Sequence, residues 1–376
     1  MSTSQTVTPG GDLSSRDLAV LHDLPALFLR EGYIDNYLVY GTTHLHFEKV
    51  RKDLGTLPPA LRMLMSLFFL NGQEPPEEVA RAFSAEQVQS LLRLGLLMET
   101  AGQLHSGGLI LLPVFGHLMF VPTPMSNPIV YFGDDSAALA VRLSPPRGAR
   151  CLDLCSGPGI QALRSSISGG HVVAVEINPI AAACNELNIE LNSLGGKVEL
   201  RRGDLYAVLK PGEQFDFLSA NPPLLPFVPD LPYPFVGHGG SDGLLVTWRI
   251  LDKLPEVLAD GGTAQIIGTC TGDEQGPHCR QQLADYASKH GLQVVFTVPS
   301  RMKLEPGSPW FDGLASTCAV ATGLALDMVK ERFAEHLVEL GANKLYCYYL
   351  TITKGSPHPG FVMTRQYERP GGFWFR

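Results

Sequence analysis

The spacing of apolar positions changes character near residue 128. Before it, apolar residues recur at helical intervals: "PALRMLMSLFFL" predicts a buried helix, and "SAEQVQSLLRLGLL" predicts another, opened by Ser84 and Gln87 at capping-box spacing. "METAGQLHSGGLILLPV" is punctuated by glycines and predicts a short hairpin. Helix, helix, hairpin in that order suggests a small, mainly helical, winged-helix-like domain over 17–127. Residues 1–16, rich in Ser, Thr and Gly, offer too little apolar surface to repay ordering and are expected to form a flexible tail.

From 128 onward, apolar runs at 149–154, 171–176, 197–201, 214–219, 263–268 and 293–298 alternate with helical stretches. That pattern predicts an α/β domain over 128–376, a βαβ sheet with helices on both faces. "KLYCYYLTITKG", rich in β-branched and aromatic residues, predicts a last strand. Ahead of it lies an insert at about 301–343, whose "DMVKERFAEHLVELG" reads as a helix stopped by Gly341.

Composition narrows the function classes. Apolar residues make up 45% of the 376 and charged residues 18%, the profile of an ordinary globular protein. The net charge of −8, with no long basic run, argues against nucleic acid as partner, and the second helix of the N-terminal pair carries a single arginine. Seven cysteines without a C-x-x-C pair fit neither a disulfide framework nor a zinc site. His44 and His46 have no third ligand nearby in sequence, so no metal is expected. Neither a signal-like N-terminus nor an apolar run of membrane-spanning length occurs. The expectation is a cytoplasmic monomer or homodimer without membrane contact.

The chemistry gathers at strand ends. The first α/β strand runs into "CLDLCSGPGIQA", giving Gly157-x-Gly159-x-x-Ala162 at a strand-to-helix turn, where missing side chains let backbone approach a ligand; a dinucleotide would fit that spacing equally. Glu176 closes the second strand and suits both hydroxyls of a ribose. Asp153 could hold a ligand's ammonium group, for which a dinucleotide loop has no use, and Asp204 after the third strand could accept from an adenine amino group. The three acids, with Cys155, Ile177 and Leu205 beside them, describe a ligand with ammonium, ribose and adenine, and that ligand is S-adenosylmethionine.

The fourth strand ends in "ANPPLLPF", and "GHGGSDGLLVTWRILDKLPEVLADGGTAQIIG" follows; "VYFGDDSAALA" at 130–140 precedes the glycine turn. On these segments, over roughly 128 to 300, the chain resembles the class I S-adenosylmethionine-dependent methyltransferases. Within them it is similar to the group with an Asn-Pro-Pro motif that includes the release-factor glutamine N5-methyltransferases. The resemblance implies a Rossmann-like seven-stranded sheet and S-adenosylmethionine as methyl donor, leaving S-adenosylhomocysteine. It also implies that Asn221, bordering the cofactor, accepts hydrogen bonds from a planar nitrogen through its side-chain oxygen and its backbone carbonyl, with Pro222 and Pro223 holding the loop.

One position departs from the family. Leu224 stands where a Tyr or Phe stacks on the acceptor, so Phe227 or Tyr233 is expected to replace that ring, with His238 as an acceptor-side group. Trp310, Phe311 and the tail "PGGFWFR" are candidates to cover the pocket. The function expected is methyl transfer to a small-molecule or peptide acceptor at nitrogen, as in small-molecule biosynthesis. The alternatives are methylation of RNA or a translation factor, cyclisation or aminocarboxypropyl transfer in the same pocket, and non-catalytic cofactor binding.

Overall fold

The computed structural model describes residues 13–40, 45–124, 128–366 and 374. Its centre is a twisted sheet built from β1 (Arg150–Leu154), β2 (His171–Glu176), β3 (Val198–Arg202), β4 (Phe215–Ala220), β5 (Leu258–Asp273), β6 (Gln293–Lys303), β7 (Lys344–Thr353) and β8 (Gly360–Arg365). Their spatial order is β8-β6-β7-β5-β4-β1-β2-β3. Strands β1 to β5 run parallel, and β7 lies antiparallel between β5 and β6. The helices include α1 (Asp134–Arg142), α2 (Ile160–Ser168), α3 (Pro179–Leu191), α4 (Leu245–Val257) and α5 (Arg280–His290).

The sheet is larger than the seven strands expected. β8 adds an edge strand parallel to β6, and the short strand Gly276–Pro277 folds back on the end of β5. β8 carries no periodic signal because it is only half-buried along its length and follows a Pro-containing loop. β5 begins earlier than its apolar run because Leu258 already pairs with Phe215. The register then shifts across 259–262 before Thr263 meets Phe217.

The insert becomes two helices, α6 (Pro309–Thr322) and α7 (Leu326–Glu339). Phe311 stacks on Phe333 between them, with ring centroids 4.9 Å apart, inside a buried cluster that also takes Phe227, Val228 and Leu231 from the loop after β4. Phe311 is therefore packing and not a cover for a pocket, and Trp310 lies against the same cluster. Trp374 is buried elsewhere, its carbonyl accepting from Tyr349 and Arg142, and the rest of the C-terminal tail falls outside the described residues, as does His44.

N-terminal to the sheet, helix Pro59–Phe68, strand Gln73–Glu74, helix Pro76–Val79, helix Ala85–Arg93 and strands Met98–Thr100 and Gln103–His105 follow in order. The strands pair as a three-stranded sheet with Gln103–His105 in the middle. Ser84 caps its helix as its spacing predicts: its Oγ accepts from the Gln87 amide at 3.2 Å and its own amide donates to Gln87 Oε1 at 2.9 Å. The stretch expected to form one hairpin supplies strands to two. Ala101–Gly102 and Phe115–Gly116 both sit at positive φ, as a tight hairpin turn with the sheet's twist requires.

The second hairpin, Leu109–Val114 with His117–Pro122, joins this part to the sheet domain through α3. Asn188 on α3 and Asn192, the residue that caps its C-terminal end, stand one turn apart, each giving and taking a hydrogen bond with one residue of the hairpin's outer strand. Asn188 serves Phe120 (2.8 and 2.9 Å) and Asn192 serves Leu118 (2.9 and 2.7 Å). Two side-chain amides thus do for this edge what a neighbouring strand would. A continuous buried cluster runs beneath them, from Leu21 and Phe28 through Phe120 to Leu187 and Leu191.

Candidate active site

The carboxyl ends of β1 to β4 open on a cavity of about 270 Å³, where an open α/β sheet with this strand order binds ligands. Cys155, Gly157, Glu176, Ile177, Asp204, Leu205, Asn221, Pro223 and His238, all singled out from sequence, line it. Gly157 has φ 55°, and Cys155 is held at the same φ of 55°, a left-handed conformation unusual for a residue with a side chain. Burial beside Glu176 and Asp153 raises the pKa of the Cys155 thiol, which disfavours the thiolate.

Glu176 is fixed at both oxygens. Oε2 accepts from the Gly157 amide at 2.8 Å and Oε1 from the Asn178 amide at 2.7 Å. Each oxygen keeps a second lone pair, which matches two vicinal hydroxyls. Burial raises its pKa, and the two amides oppose that shift. Asn178 also caps α3 through the Ile180 amide at 3.0 Å, and its Nδ2 donates to the Ile129 carbonyl at 2.6 Å. That bond draws segment 129–131 over the cavity.

Asp153 is corrected. It does not line the cavity: at 1% exposure it lies behind Ser156, accepting from the Ser156 hydroxyl at 2.6 Å and the Ser219 hydroxyl at 2.8 Å. Burial pushes it up to about 7 against those hydrogen bonds. Gly159 is also set back; a Cβ there would meet Asn185 Oδ1 at 2.5 Å, so helix packing demands this glycine. Asp204 lines the cavity and is joined at 2.6 Å to Arg249 of α4, which lines it too and was not singled out from sequence.

The Asn-Pro-Pro loop turns differently from what its aromatic candidates suggest. Pro222 and Leu224 do not line the cavity. Leu224 is 8% exposed in the core with Ile267 and Tyr349, and its carbonyl accepts from Thr269. Phe227 is fully buried with its ring centroid 4.8 Å from Tyr233 and 4.9 Å from Phe333, so both loop rings are spent on the α6–α7 pair and neither reaches the cavity wall. The loop is pulled down by close backbone contacts: a Cβ on Gly243 would come within 2.7 Å of the Thr269 carbonyl. The aromatics that line the cavity are Tyr131 and Phe235, the latter 61% exposed, and no periodicity marks either.

Asn221 lines the cavity and is held through one end of its amide. Its Nδ2 donates to Asp135 Oδ2 at 2.8 Å and to Ser136 Oγ at 3.2 Å, whereas its Oδ1 is buried and has no hydrogen-bond partner among the described residues. The other Asp135 oxygen accepts from Tyr131 Oη at 2.6 Å. Asp135 lies 86 residues from Asn221 in the chain, a pairing that no local motif encodes. Among the described residues no group of three or more His, Cys, Asp or Glu is placed to hold a metal, and no helix is long and apolar enough to cross a membrane.

Sheet order, glycine turn and acids at successive strand ends define a methyltransferase domain of class I, and its lining suits S-adenosylmethionine: a doubly anchored carboxylate, an acid beside Leu205, and an acceptor oxygen at Asn221. Comparison agrees, since residues 132–273 match the family model described as the methyltransferase small domain. The ribosomal protein uL3 glutamine methyltransferase of Bradyrhizobium diazoefficiens is 34% identical over 149 residues, covering 37% of this chain and 46% of that one. Its counterpart in Burkholderia pseudomallei is 24% identical over 245 residues, 60% of this chain and 71% of that one. The release factor glutamine methyltransferase of Rhodopirellula baltica is 29% identical over 155 residues, 38% and 52% of the two chains. The chain thus spans about half the length of two of these three relatives.

Proposed function

We propose that this protein transfers the methyl group of S-adenosylmethionine to a nitrogen of a protein side chain, with a glutamine amide as the first candidate. The observation that carries this is the unpartnered Asn221 Oδ1, buried at the cavity wall with its amide nitrogen already engaged by Asp135 and Ser136. An acceptor oxygen held this way fits an N–H donor, and a planar amide nitrogen carries one to spare.

When bound, the cofactor supplies a sulfonium-activated methyl group; the nitrogen lone pair forms the N–CH₃ bond as the S–CH₃ bond breaks, and the nitrogen gives up one proton to solvent. Glu176 anchors the ribose, Asp204 accepts from the adenine amino group, and Ile177 and Leu205 offer apolar surface to the ring. The catalytic work of Asn221 is positioning, holding the nitrogen in line with the methyl group at near-attack distance.

A protein acceptor is favoured over the small molecule allowed by sequence, because the matched relatives are named for ribosomal protein and release-factor glutamines. The helix–strand–helix–helix–strand–strand order of the N-terminal part fits a winged-helix-like module, which we read as the acceptor-side domain. The cytoplasm is the compartment consistent with such substrates.

The test is incubation with methyl-labelled S-adenosylmethionine and separated protein, RNA and low-molecular-weight fractions. Label in protein, recovered after enzymatic digestion as methylglutamine, is the expected result. Label confined to RNA or metabolites overturns the acceptor, and failure to bind S-adenosylmethionine by calorimetry overturns the whole reading.

A further inference from the structure

An asparagine amide has two ends of nearly equal size, and which one faces the cavity is decided by the chemistry of its partners. At Asn221 the partner behind the amide is Asp135, buried at the first turn of α1 and absent from the cavity wall. An ionised carboxylate only accepts, so the NH₂ end must turn toward it and the oxygen end toward the cavity.

Asp135 is itself constrained. Tyr131 Oη donates to Oδ1 at 2.6 Å while Asn221 donates to Oδ2 at 2.8 Å. Burial raises the Asp135 pKa, and the hydrogen bonds from Tyr131, from Asn221 and from the backbone amides of Asp135 and Ser136 oppose that shift. Gly133 leaves room for the arrangement: a Cβ there would lie 2.2 Å from Tyr131 Oη and 2.9 Å from Asp135 Oδ1.

We propose that Asp135 is a positioning residue that locks the Asn221 amide with its oxygen toward the reacting nitrogen, and that this lock, steadied by Tyr131 and accommodated by Gly133, selects acceptors bearing an N–H. The inference rests on the proposed methyl transfer to nitrogen for its catalytic meaning, but the lock itself is a property of the protein without its substrate. Asp135→Asn keeps the shape and removes the orientation rule, since a neutral amide can present either end.

Two measurements test it. The first follows the side-chain NH₂ signals of Asn221 by NMR in the full chain. In the parent the two protons are distinct and slow to exchange with water; in Asp135→Asn and Gly133→Ala they lose that protection. Signals unchanged in both variants overturn the lock, whatever the enzyme methylates.

The second is a double-mutant cycle on turnover with the unmethylated form of the protein that the parent methylates. Asp135→Asn lowers kcat roughly 10- to 100-fold while the affinity for S-adenosylmethionine, read by calorimetry, stays within about threefold. In an Asn221→Ala background the same change costs nothing further. A cost that persists without Asn221 means that Asp135 merely supports the fold, and overturns the proposal. An absence of any protein methylation by the parent counts instead against the proposed function, and the NMR result then decides the lock alone.

Discussion

Arg249 of α4 reaches across the cavity rim to Asp204, Nη2 to Oδ2 at 2.6 Å, so the acid after β3 is oriented by a residue from the opposite side of the site. Both side chains are about half-exposed, where an ion pair contributes little to folding. Its expected value is in fixing the orientation of Asp204, which lines the cavity. Arg249→Ala is expected to leave the melting temperature unchanged and weaken S-adenosylmethionine binding only a few-fold. Glu176→Ala, which removes a buried charged acceptor, is expected to weaken it by roughly 1–3 kcal/mol. Calorimetric titration of the two variants checks the ranking; equal losses would mean that the adenine side of the cavity carries more of the affinity than assigned here.

Asn221→Ala is expected to divide binding from turnover. The cofactor affinity should stay within a few-fold of the parent and kcat should fall roughly 100-fold or more, because the nitrogen loses its hydrogen-bonding guide. Single-turnover kinetics with saturating cofactor measures this directly, and unchanged kcat would remove Asn221 from the acceptor side.

Asp153 gives a pH signature. Its folded pKa, pushed up by burial to about 7, lies above the ordinary aspartate value. The folded state therefore keeps a proton that the unfolded state loses first. Its contribution to stability is constant below about pH 4, falls as pH rises from about 4 to about 7, and is level above that, a loss of about 4 kcal/mol in all. Asp153→Asn should lack that slope, so the difference in stability between variant and parent should change between pH 5 and pH 8. Urea unfolding of the cofactor-free protein at pH 5 and pH 8 tests it, and parallel pH profiles would show that Asp153 is ionised throughout.

Which parts of this site could be read from the chain follows from how far each interaction reaches along it. Gly157 and Glu176 were legible because strand-to-helix turns carry their chemistry within a dozen residues. The Tyr131–Asp135–Asn221 relationship was not, since both ends are ordinary polar residues until the fold brings the loop after β4 to the first turn of α1. Phe227 and Tyr233 misled for the opposite reason. An aromatic in a loop beside a catalytic motif looks like a stacking platform, and only the presence of α6 and α7 beneath that loop shows that their rings are buried packing.

Leu224→Tyr makes that lesson testable. Restoring the ring of the related family at a position 8% exposed and packed against Ile267 and Tyr349 should overfill the core and cost about 1–3 kcal/mol. No gain in turnover is expected. Faster methylation with an unchanged melting temperature would show that the side chain can turn outward to the acceptor.

Asn188→Ala is expected to destabilise the whole chain by roughly 2–3 kcal/mol, since the Phe120 amide and the Phe120 and Pro158 carbonyls lose a buried partner together. Asn192→Ala, at a half-buried position, should cost less. Because one buried cluster spans both parts, thermal unfolding followed by calorimetry should give a single transition; two separated transitions would mean that the N-terminal part is held on more loosely.

The antiparallel β7 also sets the order in which this sheet can be completed on the ribosome. β5 ends at Asp273, but its neighbour is β7, which starts at Lys344, and β6 meets no strand of the growing sheet until β7 has threaded between them. Until residues 344–353 emerge, the flank of β5 around Ile266 and Ile267 is a row of unpaired backbone groups, a strand edge open to association. The α6–α7 pair lengthens that wait, so a chain stopped just short of β7 holds a nearly finished cofactor cavity on a sheet that cannot close.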